Sequence, residues 1–211
     1  MKTHNLTSSM SLMLAFGVVV AGCGAFSTKK KGQKARENDN ALTGTWQNSC
    51  TKMDWLGFTY NQVTFKFSVL GDFEKTTSLY DNESCTSAIG SLSESGTYAA
   101  LGDAAATPQA KDINFTISEA KISADTDQAI KLLNTGAYCG ISDWQKGQAT
   151  DVLDKPCVGF QHTKGKVIFD IYKVDQDNKR LETGKGSIFL DKGDADARPK
   201  DLDETNVFVK K

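Results

Sequence analysis

From Leu42 onward the hydrophobic residues recur at every second position, and that period leaves few folds open. Val63, Phe65, Phe67 and Val69 alternate with Gln62, Thr64, Lys66 and Ser68, the pattern of a strand with one buried face. Ile113, Phe115 and Ile117 alternate with Asn114, Thr116 and Ser118, and the phase then slips before Ile122, which predicts a bulge. Lys166 to Val174 sets Val167, Phe169 and Ile171 on one face and Ile168 and Tyr172 on the other. Further strands are expected around Trp46, over Phe73 to Asp81 across a Gly71-Asp72 turn, and over Glu94 to Leu101. Two more follow: Arg180 to Leu190 after the turn at Asp175-Gln176-Asp177-Asn178, and Val207 to Val209. About eight strands, mostly in hairpin order, predict an all-β antiparallel meander that closes into an up-and-down barrel to remove its edges.

One segment departs from this period. Asp125 with Gln128 has capping-box spacing, Ala129, Ile130, Leu132 and Leu133 follow, and Asn134-Thr135-Gly136 is a stop. The expectation is one short helix with Ile130 and Leu133 facing the barrel. Cys139-Gly140-Ile141-Ser142-Asp143-Trp144 and a polar passage to Pro156-Cys157 then form an elaborated crossover loop between strands.

The N-terminus has a different logic. A polar start with Lys2 leads to the apolar run Leu12 to Val20, too short for the roughly 20 residues that span a bilayer. Val20-Ala21-Gly22-Cys23 follows and resembles the lipobox of bacterial lipoproteins, where a peptidase cuts before the cysteine and lipid is attached to it. The resemblance implies a signal peptide over residues 1–22 and lipidation at Cys23. Gly24, rather than Asp, after the cysteine favours the outer over the inner membrane of a bacterial envelope. Residues 23–41 are polar, include Lys29-Lys30-Lys31 and are expected to be a flexible tether, leaving 42–211 as one domain.

Setting Cys23 aside turns five cysteines into an even four, Cys50, Cys85, Cys139 and Cys157, which in an exported chain read as two disulfides. Zinc is the competing reading, but there is no C-x-x-C pair and the smallest gap is the seventeen residues between Cys139 and Cys157. Four cysteines allow three pairings. Strand ends favour Cys50 with Cys85, and the crossover loop is bracketed by Cys139 and Cys157. Histidine is limited to His4 and His162, which removes multi-His metal sites and narrows nucleophile–histidine catalysis; no cofactor is expected. A formal net charge of −1, or −2 once Lys2 is removed with the leader, argues against a nucleic-acid partner. His162 in Gln161-His162-Thr163-Lys164 is expected in an exposed turn, and the aspartates crowded between Asp191 and Asp203 in a solvated loop.

Gly44-Thr45-Trp46 resembles the Gly-x-Trp opening of lipocalins and related calycin barrels. In that family the tryptophan plugs one barrel end beneath a basic side chain, for which Arg198 is the position here. With Tyr80-Asp81, Asn134, Cys139-Gly140, Asp143-Trp144, Cys157 and Arg198-Pro199, the domain is similar to a group of bacterial lipocalin-like lipoproteins to which no activity attaches. The resemblance implies a barrel that holds a small hydrophobic ligand, lined by Phe65, Phe67, Tyr98, Phe115 and Phe169. Interior alternation is the same for a hollow and a filled barrel, so a second reading stays open: an envelope scaffold with a filled barrel, meeting a protein partner around Trp144. Catalysis is not expected, because the aspartates fall in turns rather than on opposed strands.

Overall fold

A computed structural model describes residues 39–159, 161–186 and 194–211. The leader, Cys23, nearly all of the expected tether, and residues 187–190 of the strand expected over Arg180 to Leu190 lie outside the described residues, and within them that strand ends at Thr183. The described chain forms β1 (Gly44–Asn48), β2 (Thr51–Trp55), β3 (Phe58–Phe67), β4 (Asp72–Tyr80), β5 (Gly90–Asp103) and β6 (Lys111–Ala124). Helix α1 (Asp127–Thr135) follows, then β7 (Thr150–Asp151), β8 (Val167–Val174), β9 (Arg180–Thr183) and β10 (Phe208–Lys210).

The sheet closes. β1 pairs antiparallel with both β3 and β10, joining the ends of the series β3-β4-β5-β6-β8-β9-β10 into a barrel of eight strands. β2 continues the lane of β1 along β3, with Gly44 opposite Phe67 and Thr51 opposite Asn61, so β1 and β2 act as one strand broken near Cys50. β7 likewise continues the lane of β8 along β6, and residues 152–159 and 161–165 lie between the two pairings. The expected bulge lies on β6: Ser95 faces Glu119 and Gly96 faces Ile117, leaving Ser118 over. Gly96 is required there, because a Cβ would overlap the Thr116 carbonyl oxygen.

One end of the barrel is plugged. Trp46 is fully buried there, and its Nε1 donates to Leu42 O at 2.6 Å. The cation over its ring is Lys210, with Nζ 5.1 Å from the centroid, and not Arg198 as the resemblance implied. The register explains the substitution, since β10 pairs with β1 and sets Lys210 opposite Trp46. Arg198 instead crosses the outer surface of β6 and β8. It donates to Ile113 O at 3.0 Å, to Asn114 Oδ1 at 2.6 Å and to Asp170 O, with its guanidinium 5.3 Å from the Phe169 centroid.

The other end is covered by α1 and the crossover. Thr126 is the N-cap, its hydroxyl accepting from Ala129 N at 3.2 Å, so the helix starts one residue later than the Asp125–Gln128 spacing predicts. Leu133 and Ala129 are buried beneath the helix, and Ile130 packs partly buried beside them. The disulfides are Cys50–Cys85 and Cys139–Cys157, the first at the β1–β2 break and the second across the crossover.

Candidate functional site

Four of the five residues expected to line the interior come together, as neighbours that fill the plugged end. Phe65 stacks on Phe67 at 5.5 Å between centroids, and Phe67 meets Tyr98 edge-on at 5.1 Å. Phe115 lies 6.3 Å from Phe65 and 4.9 Å from Phe73, and Phe208 closes on Phe65 at 5.3 Å. The Tyr98 hydroxyl donates to Ser68 O at 2.9 Å; burial, with the nearby Asp39 charge adding to it, raises its pKa. Phe169 is elsewhere. Phe115 faces Ile168, so Ile168 shares its side of the sheet while Phe169 turns outward beneath Arg198. Both faces of β8 are apolar because the segment around Arg198 covers the outer one, and alternation alone cannot orient such a strand.

Above these rings the interior turns polar. Along β4, Lys75 and Thr77 separate Phe73, in the plugged-end cluster, from Leu79, in the cluster beneath α1. Along β5, Glu94 separates Leu92 from Tyr98, and along β3, Asn61 separates Phe58 from Val63. Glu94 is the centre of this belt. Its Oε2 lies 2.6 Å from Lys75 Nζ and its Oε1 2.6 Å from His162 Nε2. Burial pushes the Glu94 carboxyl up, but the Lys75 charge and the His162 hydrogen bond outweigh it and hold the carboxyl below the ordinary glutamate value. His162 is 4 % exposed rather than in an open turn. The loop over 152–165 folds its side chain inward, and the residue opposite Glu94 on β6 is the small Ala120.

Space of ligand size lies at the end away from Trp46. A groove of about 470 Å³ opens between β2 on one side and Gly159 of the crossover with Gly186, Thr205 and Asn206 of the β9–β10 connection on the other, and its β2 wall carries the charged Lys52 and Asp54 as well as Met53 and Trp55. Trp55 stands at its wall, 5.9 Å edge-on from Tyr138 and 5.7 Å from Phe58, and its Nε1 points at Val158 O, 3.5 Å away. Gly159 matters locally: its φ is +93°, and a Cβ would sit 3.2 Å from the Trp55 Nε1. Tyr138 fixes the same loop by donating to Val158 O at 2.6 Å, and burial raises its phenol pKa. Neither Trp55 nor this groove was singled out from sequence; the only signal was an aromatic at the end of a strand facing a disulfide loop.

Trp144, the residue on which the scaffold reading depended, is 2 % exposed. Asn134 at the end of α1 brackets it, Oδ1 accepting from Trp144 N at 2.8 Å and Nδ2 donating to Trp144 O at 3.2 Å. It is core, not a contact surface. No family model matches this chain, and no curated protein matches it.

Proposed function

We propose that this chain is an exported, lipid-anchored binding protein that takes a small hydrophobic ligand at the groove beside Trp55. The observation that carries the ligand half is the division of the barrel. Stacked rings occupy the plugged end, whereas Met53 and Trp55 line open space at the other, with Thr51, Asn61 and Asn206 to orient a polar group. Support for the anchor half comes from Val20-Ala21-Gly22-Cys23 and from the four downstream cysteines, which pair with one another.

Mass spectrometry of protein taken from the membrane fraction tests the anchor: an unmodified Cys23, or a mature N-terminus elsewhere, overturns it. Titration with a fluorescent fatty acid tests the groove. Saturable binding that Trp55→Ala weakens at least tenfold is expected, and saturable binding that the same substitution leaves unchanged removes the groove from the reading.

A further inference from the structure

We infer that the plugged end of the barrel faces the lipid bilayer and rests on it through the hairpin tip at Val69-Leu70. This rests on the anchor half of the function proposed above. Two separate features of the described chain lie at this end.

The first is where the chain arrives. Asp39 is clamped at the plugged end: its Oδ2 accepts from Lys111 Nζ at 2.7 Å and from the Tyr172 hydroxyl at 2.9 Å, and its Oδ1 from Ala41 N at 3.0 Å. Lys111 and Tyr172 are register partners on β6 and β8, so the clamp ties the incoming chain to the rim. The chain leading back to Cys23 therefore leaves from that rim. The interval is sixteen residues, 39 minus 23. Fully extended it could reach about 50–58 Å, far enough to pass around the barrel, so the clamp alone does not choose a face.

The second feature chooses it. The β3–β4 turn is built by Ser68 and Gly71. Ser68 N donates to Asp72 O at 2.9 Å, Ser68 Oγ accepts from Leu70 N and Asp72 N, and Gly71 supplies a φ of +89°. The side chains that shape the turn are those of Ser68 and Asp72, and turn tips ordinarily carry small polar residues. Yet Leu70 is 81 % and Val69 59 % exposed. The tip is also held firmly, because Tyr98 donates through its hydroxyl to Ser68 O and through its amide to Gly71 O at 2.7 Å. That pairing sets the tip beside the stretch of β5 that runs on to Leu101, itself 45 % exposed. A rigid apolar prominence on the rim from which the anchored chain departs fits a membrane surface. The groove beside Trp55, at the opposite end, then opens away from the bilayer.

The test uses the full lipidated chain in nanodiscs of phosphatidylethanolamine and phosphatidylglycerol containing spin-labelled lipid, with methyl signals of leucine and valine as readout. Val69, Leu70 and Leu101 should broaden several-fold more than Leu132 and Val158, the exposed apolar residues of the other end. Leu70→Ser, at an exposed site that leaves the fold intact, should reduce the broadening at Leu101. Stronger broadening at Val158 or Leu132, or equal broadening throughout, overturns the inference while the anchor stands. A sample whose mass shows no lipid on Cys23 removes the anchor instead. Concentration-dependent self-association that Leu70→Ser abolishes would assign the tip to a second copy of the chain and overturn the inference as well.

Discussion

Glu94 carries more of this molecule than its strand suggests. It is a buried anion between the Lys75 ammonium and the His162 ring, and removing the charge takes the ion pair from Lys75, whose side chain is only 10 % exposed. Glu94→Gln should cost about 3–5 kcal/mol in urea unfolding at neutral pH. Because the folded pKa lies below the unfolded one, Glu94 adds stability that is complete above the ordinary value of 4.5 and disappears as pH falls through the lowered one. Unfolding free energy measured from pH 7 down to pH 3 should therefore fall less steeply in Glu94→Gln than in the parent. Thr77 gives the opposite sign: fully buried, its hydroxyl has no hydrogen-bond partner among the described residues. Thr77→Val keeps the shape, removes that penalty, and should stabilise by about 1 kcal/mol on the same assay. None of this belt was legible beforehand. On β4, inward Lys75 and Thr77 alternate with outward Glu74, Thr76 and Ser78, so polarity has no period there to read. His162 was read as exposed because nothing local shows that a loop turns inward.

Individual elements were legible in proportion to how unlike their two faces are. β3 and the first half of β6 have one apolar and one polar face, and Val63, Phe65, Phe67, Ile113, Phe115 and Ile117 emerged inward as expected. Val69, expected on the same face, falls in the turn after β3 and is exposed. β8 is covered on both sides, and there the orientation of Phe169 was inverted. The phase slip on β6 did announce its bulge, and Gly96 across from it is the most exacting position in the sheet. Gly96→Ala should destabilise at or beyond the upper end of the roughly 1–3 kcal/mol typical of overpacking, read as a fall in Tm, since the obstacle is backbone. The crossover depends on its staple. Cys139–Cys157 closes a separation of 18 residues, and the double change to serine should cost about 3 kcal/mol in the chain-entropy account. Amide exchange over residues 152–163 should rise in that variant, because the loop delivering His162 to Glu94 loses its tether.

At the scale of the whole molecule, closure was the most readable property: about eight strands mostly in hairpin order predict a barrel that removes its edges, and a barrel is what the chain forms. How its plugged end is locked was less readable. Lys210 and Arg198 are both basic residues near the last strand, and spacing cannot tell which one the register will set over Trp46. Lys210→Ala should lose about 0.5–2 kcal/mol and alter the near-ultraviolet signal of Trp46. Arg198→Ala should leave that signal alone and instead free the segment around residues 195–200 from β6 and β8. The manner of closure also sets a timetable. β10 is three residues long, yet it joins β9 to β1, and Asn48 meets Asn206 across a sequence separation of 158. A contact so distant pays its loop entropy late, so the hairpins from β3 to β6 can assemble while the outer edges of β1 and β9 still wait for β10. During that interval the chain is an open sheet with two unpaired edges, and the same short strand from a neighbouring molecule could complete it. Refolding yield should therefore drop with protein concentration more steeply than the stability of the finished barrel would suggest.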